Sequence, residues 1–322
     1  MTKILPEISK QIGSEEICSL LEDKYSQITP LWMPLQLQWM NRAYRTFYDH
    51  EKFLIIIHLV HKTFDFYSKN FVKLNYEEYF NQNQVEIERF SVMEISKSLN
   101  IPKETARRKI NELEERGIIK RLKKKIIIDK EAWPSIKPQE TMTRISRFLS
   151  ALSKILYSEK LISELFSSEQ IINVAKENFS YVWILYYNMQ MTMLLNFKKI
   201  HGDIETFHIH AICIINQVLN SKKNDNNYMG KEHYVEKYFF SLDGIGINAM
   251  SISDITAIPR ATVIRKLNKL VKDKFLKIDD KKHYLTTGVH KNILLSIQKN
   301  NFKNLSKFVA RIFNLALKEN SK

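Results

Sequence analysis

Two ten-residue segments of this chain repeat the same pattern. Residues 101–110 read IPKETARRKI and residues 258–267 read IPRATVIRKL, with Ile, Pro, Thr and an Arg-Lys pair at identical spacing. The match extends over 29 positions, 93–121 against 250–278, and 11 of these are identical at a constant offset of 157. A period of this length is typical of a duplicated domain and not of a solenoid of short repeats.

The repeat divides the chain into two comparable halves. A chain of 322 residues is long enough for about two domains, each with its own core. The sequence predicts a first domain over residues 1–160, with its repeated unit at about 84–129. It predicts a second domain over residues 161–322, with its repeated unit at about 241–287.

Apolar helices flank both repeated units. The offset of 157 aligns the apolar segments 53–61 and 210–218. Each half ends in a stretch with apolar residues at helical spacing, at 143–156 and at 303–317. We expect these flanking helices to be the surfaces through which the two halves pair.

The first repeated unit has the pattern of two short helices, a tight turn and a hairpin. SVMEISKSL (91–99) places its apolar residues on one helical face. Pro102 can begin the second helix because its missing N–H costs nothing in a first turn. Gly117 suits the left-handed position after that helix. The segment 118–129 then predicts two strands about a basic tip, so the unit is a helix-turn-helix with a wing.

The second unit keeps this plan with local changes. Ile252, Ile255 and Ile258 are predicted to pack the first helix and its turn, and FLKIDDKKHYLTT (275–287) supplies the wing. Lys274 stands where the first unit has glycine. A lysine held in the left-handed conformation there would cost about 1 kcal/mol, unless this helix ends differently.

These motifs resemble known DNA-binding proteins. IPKETARRKINELEERGIIKR is similar to the helix-turn-helix of winged-helix transcription regulators, including the cyclic-AMP-receptor type. The arrangement of helices around each unit more closely resembles the MarR group, as does the wing-exit segment DDKKHYLTTGVHKNI. The resemblance implies a mainly α fold with small β-hairpin wings, in which tandem duplicated winged helix-turn-helix domains form a pseudo-dimer.

The resemblance also implies which side chains meet double-stranded DNA. A helix fits the major groove, where Arg or Lys pairs with guanine and Glu accepts a hydrogen bond from cytosine. Ala261 replaces Glu104 in the second unit, so we expect the two halves to read different bases. The threonines would bind phosphate or cap the helix. The predicted DNA-binding residues are Lys103, Glu104, Thr105, Arg107, Arg108, Asn111, Lys123, Lys124, Lys125, Arg260, Thr262, Arg265, Lys266, Asn268, Lys281 and Lys282.

The charge distribution favours a nucleic-acid partner. The chain has 50 Lys+Arg against 35 Asp+Glu, for a net charge of +15. Residues 93–129 contain 11 basic and six acidic residues, and residues 250–287 contain nine and four. Each unit therefore carries a net charge of +5, which suits a polyanion.

The sequence shows no signature of catalysis or of a cofactor. It has no phosphate-binding glycine loop, no nucleophile elbow and no Cys-x-x-Cys, so the chain is predicted not to be an enzyme. His201, His208 and His210 lie near Asp203 and Glu205, but their spacing does not define a tetrahedral site, and no metal is predicted.

Location and partners follow from simpler features. Two isolated cysteines, a start without the apolar core of a signal peptide and apolar runs too short for a bilayer predict a cytoplasmic protein without a membrane partner. The aromatic-rich helices leave room for a small-molecule effector between them. The predicted function is a sequence-specific DNA-binding transcription regulator, as a monomeric pseudo-dimer or a homodimer. The alternatives are a plasmid-type replication initiator and a protein-interaction scaffold built from winged helices.

Overall fold

The computed structural model describes residues 11–87, 91–123, 125–221, 229–240 and 244–320. Within these ranges the chain is mainly helical, with two small antiparallel sheets. No helix in these ranges is both long and apolar enough to cross a membrane.

The first half begins with long helices and places its small sheet around the repeated unit. In chain order its elements are α1 (Ser14–Asp23), α2 (Tyr25–Phe47), α3 (His50–Lys69), α4 (Tyr76–Phe80), β1 (Gln84–Ile87), α5 (Val92–Leu99), α6 (Lys103–Glu115), β2 (Lys120–Leu122), β3 (Lys125–Asp129), a 3₁₀ turn (Lys130–Ala132), α7 (Trp133–Ile136) and α8 (Gln139–Ser158). The three strands form an antiparallel sheet of order β1-β3-β2. The hairpin β2-β3 is the predicted wing.

The second half has the same order of elements. They are α9 (Ser168–Glu177), α10 (Phe179–His201), α11 (Ile204–Ser221), α12 (Lys231–Tyr234), a π-helical turn (Val235–Phe239), α13 (Ala249–Thr256), α14 (Arg260–Lys272), β4 (Leu276–Ile278), β5 (Tyr284–Thr286) and α15 (Lys291–Asn320). An isolated bridge between Ile247 and Tyr284 stands where β1 pairs in the first half. The start of the predicted unit, at 241–243, lies outside the described residues.

Corresponding helices of the two halves have matching lengths. Both α1 and α9 have 10 residues, α2 and α10 have 23, α5 and α13 have eight, and α6 and α14 have 13. The leading helices are related by an offset of 154, because Asp49 and Asp203 occupy the position before α3 and α11 and accept from backbone N–H groups there. The predicted offset of 157 for these two helices is therefore wrong, although it holds for α6 and α14. The second half has three additional residues between its long helix and its helix-turn-helix.

The terminal helices of each half pack against the other half. Helix α1 lies along α15, and α9 lies against α8. The side-chain amide of Asn314 in α15 donates to the backbone oxygen of Ile12 at 3.0 Å, and its oxygen accepts from the Ile12 N–H at 2.8 Å. The long helices also cross between the halves, with α10 against α3 and α2 against α11.

This exchange produces one main hydrophobic core instead of the two separate cores that chain length suggested. Fully buried side chains from both halves, such as Leu54, Leu152 and Phe313, belong to the same cluster. A second cluster lies under α13 and α14 and includes Val263 and Leu267. Full burial of each such side chain contributes about 1.5–3 kcal/mol, so separating the halves would expose much of the stabilising surface.

Candidate nucleic-acid interface

The two helices of each repeated unit are joined by a turn of the same geometry. In the first unit Asn100 takes the left-handed conformation, with φ 50°, and the hydroxyl of Ser96 donates to the backbone oxygen of Ile101 at 2.7 Å. In the second unit Ala257 has φ 61°, and Ser253 donates to Ile258 at the same distance. The identical Ser and Ile residues at these positions thus hold the same turn in both units.

Proline stands at the cap of each second helix. Pro102 and Pro259 are the N-cap residues, with φ −53° in both cases, and they lie one position before the predicted first turn. Thr105 and Thr262 lie within the helices and are half-buried. Their predicted capping role is therefore wrong, because proline already occupies the cap position.

One face of each second helix is buried and the opposite face is exposed. Ala106, Ile110 and Leu113 are completely buried on α6, and Val263, Leu267 and Leu270 are completely buried on α14. Ile252 and Ile258, which were predicted to pack the first helix and turn of the second unit, are also completely buried. Ile255 of α13 is an exception, since 38% of its surface is exposed although it was predicted to pack the helix.

In the first unit, the exposed face of α6 carries Lys103, Glu104, Arg107 and Arg108. Arg107 pairs with Glu104 at 3.0 Å, and Arg108 pairs with Glu112 at 2.8 Å. The hydrogen bond from Lys52 and the nearby positive charges hold the pKa of Glu112 below its ordinary value, so this carboxylate is ionised at neutral pH. The two arginines of this helix therefore have anionic neighbours in the free protein.

Asn111 does not belong to that exposed face, contrary to the prediction. The side chain is half-buried, and its Oδ1 atom is buried without a hydrogen-bond partner among the described residues. Helix α6 packs against α3 and α5, so only part of its surface faces solvent.

In the second unit, α14 exposes Arg260, Arg265 and Asn268. The ion pairs of α14 within the described chain involve Lys266, with Asp203 at 2.5 Å, and Lys269, with Asp273 at 2.6 Å. Arg260 and Arg265 have no carboxylate partner among the described residues. Lys266 was predicted to face DNA, but it is half-buried and binds the residue before α11.

The position of Lys266 explains an identity between the two units. Its counterpart Lys109 is 6% exposed and pairs with Asp49, the N-cap of α3. Each lysine thus joins the second helix of a helix-turn-helix to the start of the long helix behind it. Sequence reasoning missed this structural role, and the identity of Lys109 and Lys266 was the signal that could have revealed it.

The two wings present their lysines differently. In the first wing, Leu122 pairs with Lys125, and Lys123 is exposed beside this pair with φ 53°. Lys125 is half-buried and pairs with Glu86 of β1 at 3.0 Å. Lys124 lies outside the described residues.

In the second wing, Lys281 and Lys282 are exposed at the tip. The carboxylate of Asp279 accepts from the backbone N–H groups of Lys281 and His283, at 2.9 and 2.8 Å, and closes the turn. Asp280 is also exposed, so this tip carries acidic as well as basic side chains.

Positive charge is placed differently in the two units, although both have a net charge of +5. Helix α6 contains four basic and four acidic residues, so it is neutral overall. Helix α14 contains five basic residues and no acidic one. The excess of the first unit lies in its wing and the residues leading to it, whereas that of the second lies on its helix.

The histidine-rich stretch does not form a metal centre in the described part of the chain, where no three His, Cys, Asp or Glu side chains converge. Glu205 instead accepts from the backbone N–H of His50 at 3.0 Å. Burial lowers the pKa of His208 well below its ordinary value, so that its ring is neutral.

Comparison with known proteins agrees with the geometry of the first unit. The family model of the DeoR-like helix-turn-helix domain matches residues 85–130, which run from β1 through α5, α6 and the wing. No curated protein and no solved structure matches the chain. Residues 85–130 are therefore a DNA-binding helix-turn-helix domain of a kind that regulators use, and the matched family is one of DNA-binding regulators and not of enzymes.

Proposed function

We propose that the chain is a sequence-specific transcription regulator that binds double-stranded DNA through two non-identical winged helix-turn-helix units. The observation that carries this proposal is the second unit, α13 to β5, which repeats the turn, the buried face and the hairpin of the matched unit. A cytoplasmic location accompanies this proposal as a prediction.

In this proposal α6 and α14 are the recognition helices. Arg108 and Arg265 stand at equivalent positions and would pair with guanine edges in the major groove. Lys103 and Glu104 would contact bases in the first half-site, and Arg260 in the second. The exposed lysines of the wings would bind phosphate, which fixes the register of the protein on the duplex.

The exchange of terminal helices supports a fused pseudo-dimer. Helix-turn-helix dimers place two recognition helices in successive major grooves about 34 Å apart. Packing of α1 on α15 and of α9 on α8 would hold the two units of one chain in such an arrangement. Because the two recognition helices differ, the DNA site is expected to have unequal halves.

Selection of genomic fragments by the purified chain, followed by anisotropy titrations, tests the proposal. We expect Arg108→Ala and Arg265→Ala each to weaken binding to the selected site by about 10- to 100-fold, because a bidentate guanine contact is worth about 1–3 kcal/mol. The double variant should lose most of its preference for the selected site over random DNA. Arg147→Ala, an exposed position on α8 outside both units, is the matched control and should keep the preference. A double variant that prefers the selected site as strongly as the natural chain would show that these arginines do not read DNA.

A further inference from the structure

A cavity lies between helices of the two halves, next to the second DNA-binding unit. Helices α2, α10, α11 and α15 and the π-helical turn surround it. It has a volume of about 110 Å³ and is partly open to solvent. An apolar cavity of about 150 Å³ binds benzene, so this cavity has room for a small apolar group of a ligand.

The first half has a counterpart of this cavity, but large aromatic side chains line it and make it narrower. At the offset of 154, Trp183 and Trp39 line the first site where Thr29 and Met193 line the second. The cavity at the first site has a volume of only about 60 Å³. The two equivalent sites have therefore diverged, and the second has smaller side chains at these positions.

Buried polar groups in the larger cavity have no partner among the described residues. Both polar atoms of the Gln36 amide and the Oδ1 atom of Asn301 lack a hydrogen bond, although these residues are only 8% and 9% exposed. At the position equivalent to Gln36, the amide of Gln190 donates to the hydroxyl of Tyr186 at 2.8 Å. An unsatisfied buried polar group costs about 1–3 kcal/mol, so the cavity offers a ligand both a donor and an acceptor.

The lining of the cavity selects against charge. No Asp, Glu, Lys or Arg side chain lines it within the described chain. Burial lowers the pKa of His201 to about 4 and that of His210 well below its ordinary value, so both rings are neutral at pH 7. An ionised ligand would have no counter-charge there, and its desolvation would not be compensated.

One residue that lines the cavity, His201, also contacts the second recognition helix and the residues after it. The ring of His201 stacks on Phe275, which lies three residues after the end of α14, with 4.8 Å between centroids. The ammonium of Lys269 in α14 donates to the backbone oxygen of His201 at 3.1 Å. A ligand that displaces His201 would therefore disturb the stacking and the hydrogen bond that hold α14 in place.

We propose that this cavity binds a neutral, largely apolar small molecule with a hydrogen-bond donor and an acceptor, and that binding alters the DNA affinity of the second unit. The regulatory part rests on the proposed DNA-binding function, but the binding part does not. Because aromatic side chains make the counterpart in the first half too small for the same ligand, the expected stoichiometry is one ligand for each chain.

The neutral fluorescent amine N-phenyl-1-naphthylamine is a suitable probe, because its emission rises and shifts to shorter wavelength in an apolar site. The full-length chain should bind one equivalent saturably. Thr29→Trp, which introduces the residue of the first site, should raise the Kd for the probe by about tenfold or more by overfilling the cavity. Gln36→Leu should raise this Kd by about three- to tenfold through loss of the amide. Thr141→Leu, which changes the lining of the first site, is the matched control and should not change binding.

Circular dichroism identifies any variant that does not fold, and Gln36→Leu is expected to be at least as stable as the natural chain because it removes an unsatisfied amide. Absence of saturable probe binding by the natural chain would overturn the site. So would folded Thr29→Trp and Gln36→Leu variants that bind the probe as tightly as the natural chain.

Saturating probe should also change the Kd for selected DNA by about threefold or more in the natural chain. An unchanged DNA affinity would overturn the coupling to α14. Failure of probe binding alone leaves the DNA-binding proposal standing.

Discussion

Lys274 follows helix α14 in the left-handed conformation, with φ 60°, where the first unit has Gly117 at φ 70°. Its N–H donates to the backbone oxygen of Val271, and the next N–H, of Phe275, donates to Leu270. The same pair of bonds closes α6. The chain therefore keeps this helix end even with a residue that has a Cβ atom, which is one of the two alternatives that the sequence left open.

Replacing this lysine by glycine should stabilise the protein. Lys274→Gly relieves the strain of a left-handed side chain, so the free energy of unfolding should rise by about 1 kcal/mol. Urea denaturation followed by circular dichroism measures the change. Lys272→Gly, inside the last turn of α14, is the control and should lower stability by about 0.5–1 kcal/mol. A loss of stability in Lys274→Gly would contradict this account of the helix end.

Residues with a tertiary partner were the hardest to predict. Lys109 and Lys266 follow arginines in a basic run, and nothing in the local pattern separates them from residues that face solvent. Their roles depend on Asp49 and Asp203, each about 60 positions earlier in the chain. Only packing of the second helix on the long helix brings these charges together.

At the scale of elements, α6 and α14, the proposed recognition helices, differ more than their sequences first suggest. The sequence predicts their bounds and buried faces well, because apolar residues at helical spacing and a proline determine them. It does not reveal that Arg108 is paired with Glu112, whereas Arg265 has no carboxylate partner in the described part of the chain. An arginine that must leave a carboxylate contributes less to DNA binding than an unpaired one.

This difference predicts unequal effects of matched substitutions. Arg265→Ala should weaken binding to the selected site at least about threefold more than Arg108→Ala. Anisotropy titrations with the selected duplex measure both losses. Equal losses for the two variants, or a larger loss for Arg108→Ala, would show that the Glu112 pair has no influence on DNA binding.

The sequence predicted helical segments within α3, α8, α11 and α15, but neither the number of flanking helices nor their arrangement. Amphipathic spacing indicates that α8 and α15 bury one face, yet it cannot say which helix covers that face. The structure shows that α9 covers α8 and that α1 covers α15, so each half completes the other. This exchange also accounts for the continuous core, since no boundary of separate cores exists at the junction between α8 and α9.

For the whole molecule, the central claim is that one chain supplies both DNA-binding units. Conventional helix-turn-helix dimers bind palindromes because identical subunits are related by two-fold symmetry. Here Glu104 of α6 corresponds to Ala261 of α14, and α6 is neutral overall whereas α14 is basic. The expected target is consequently an asymmetric site occupied by a single chain.

The stoichiometry of the complex with the shortest selected DNA tests this claim most directly. Sedimentation of the complex should give one chain for each duplex, and a footprint should show two unequal half-sites about one helical turn apart. Two chains bound to a perfect palindrome would contradict the account, because each chain would then contribute only one reading unit.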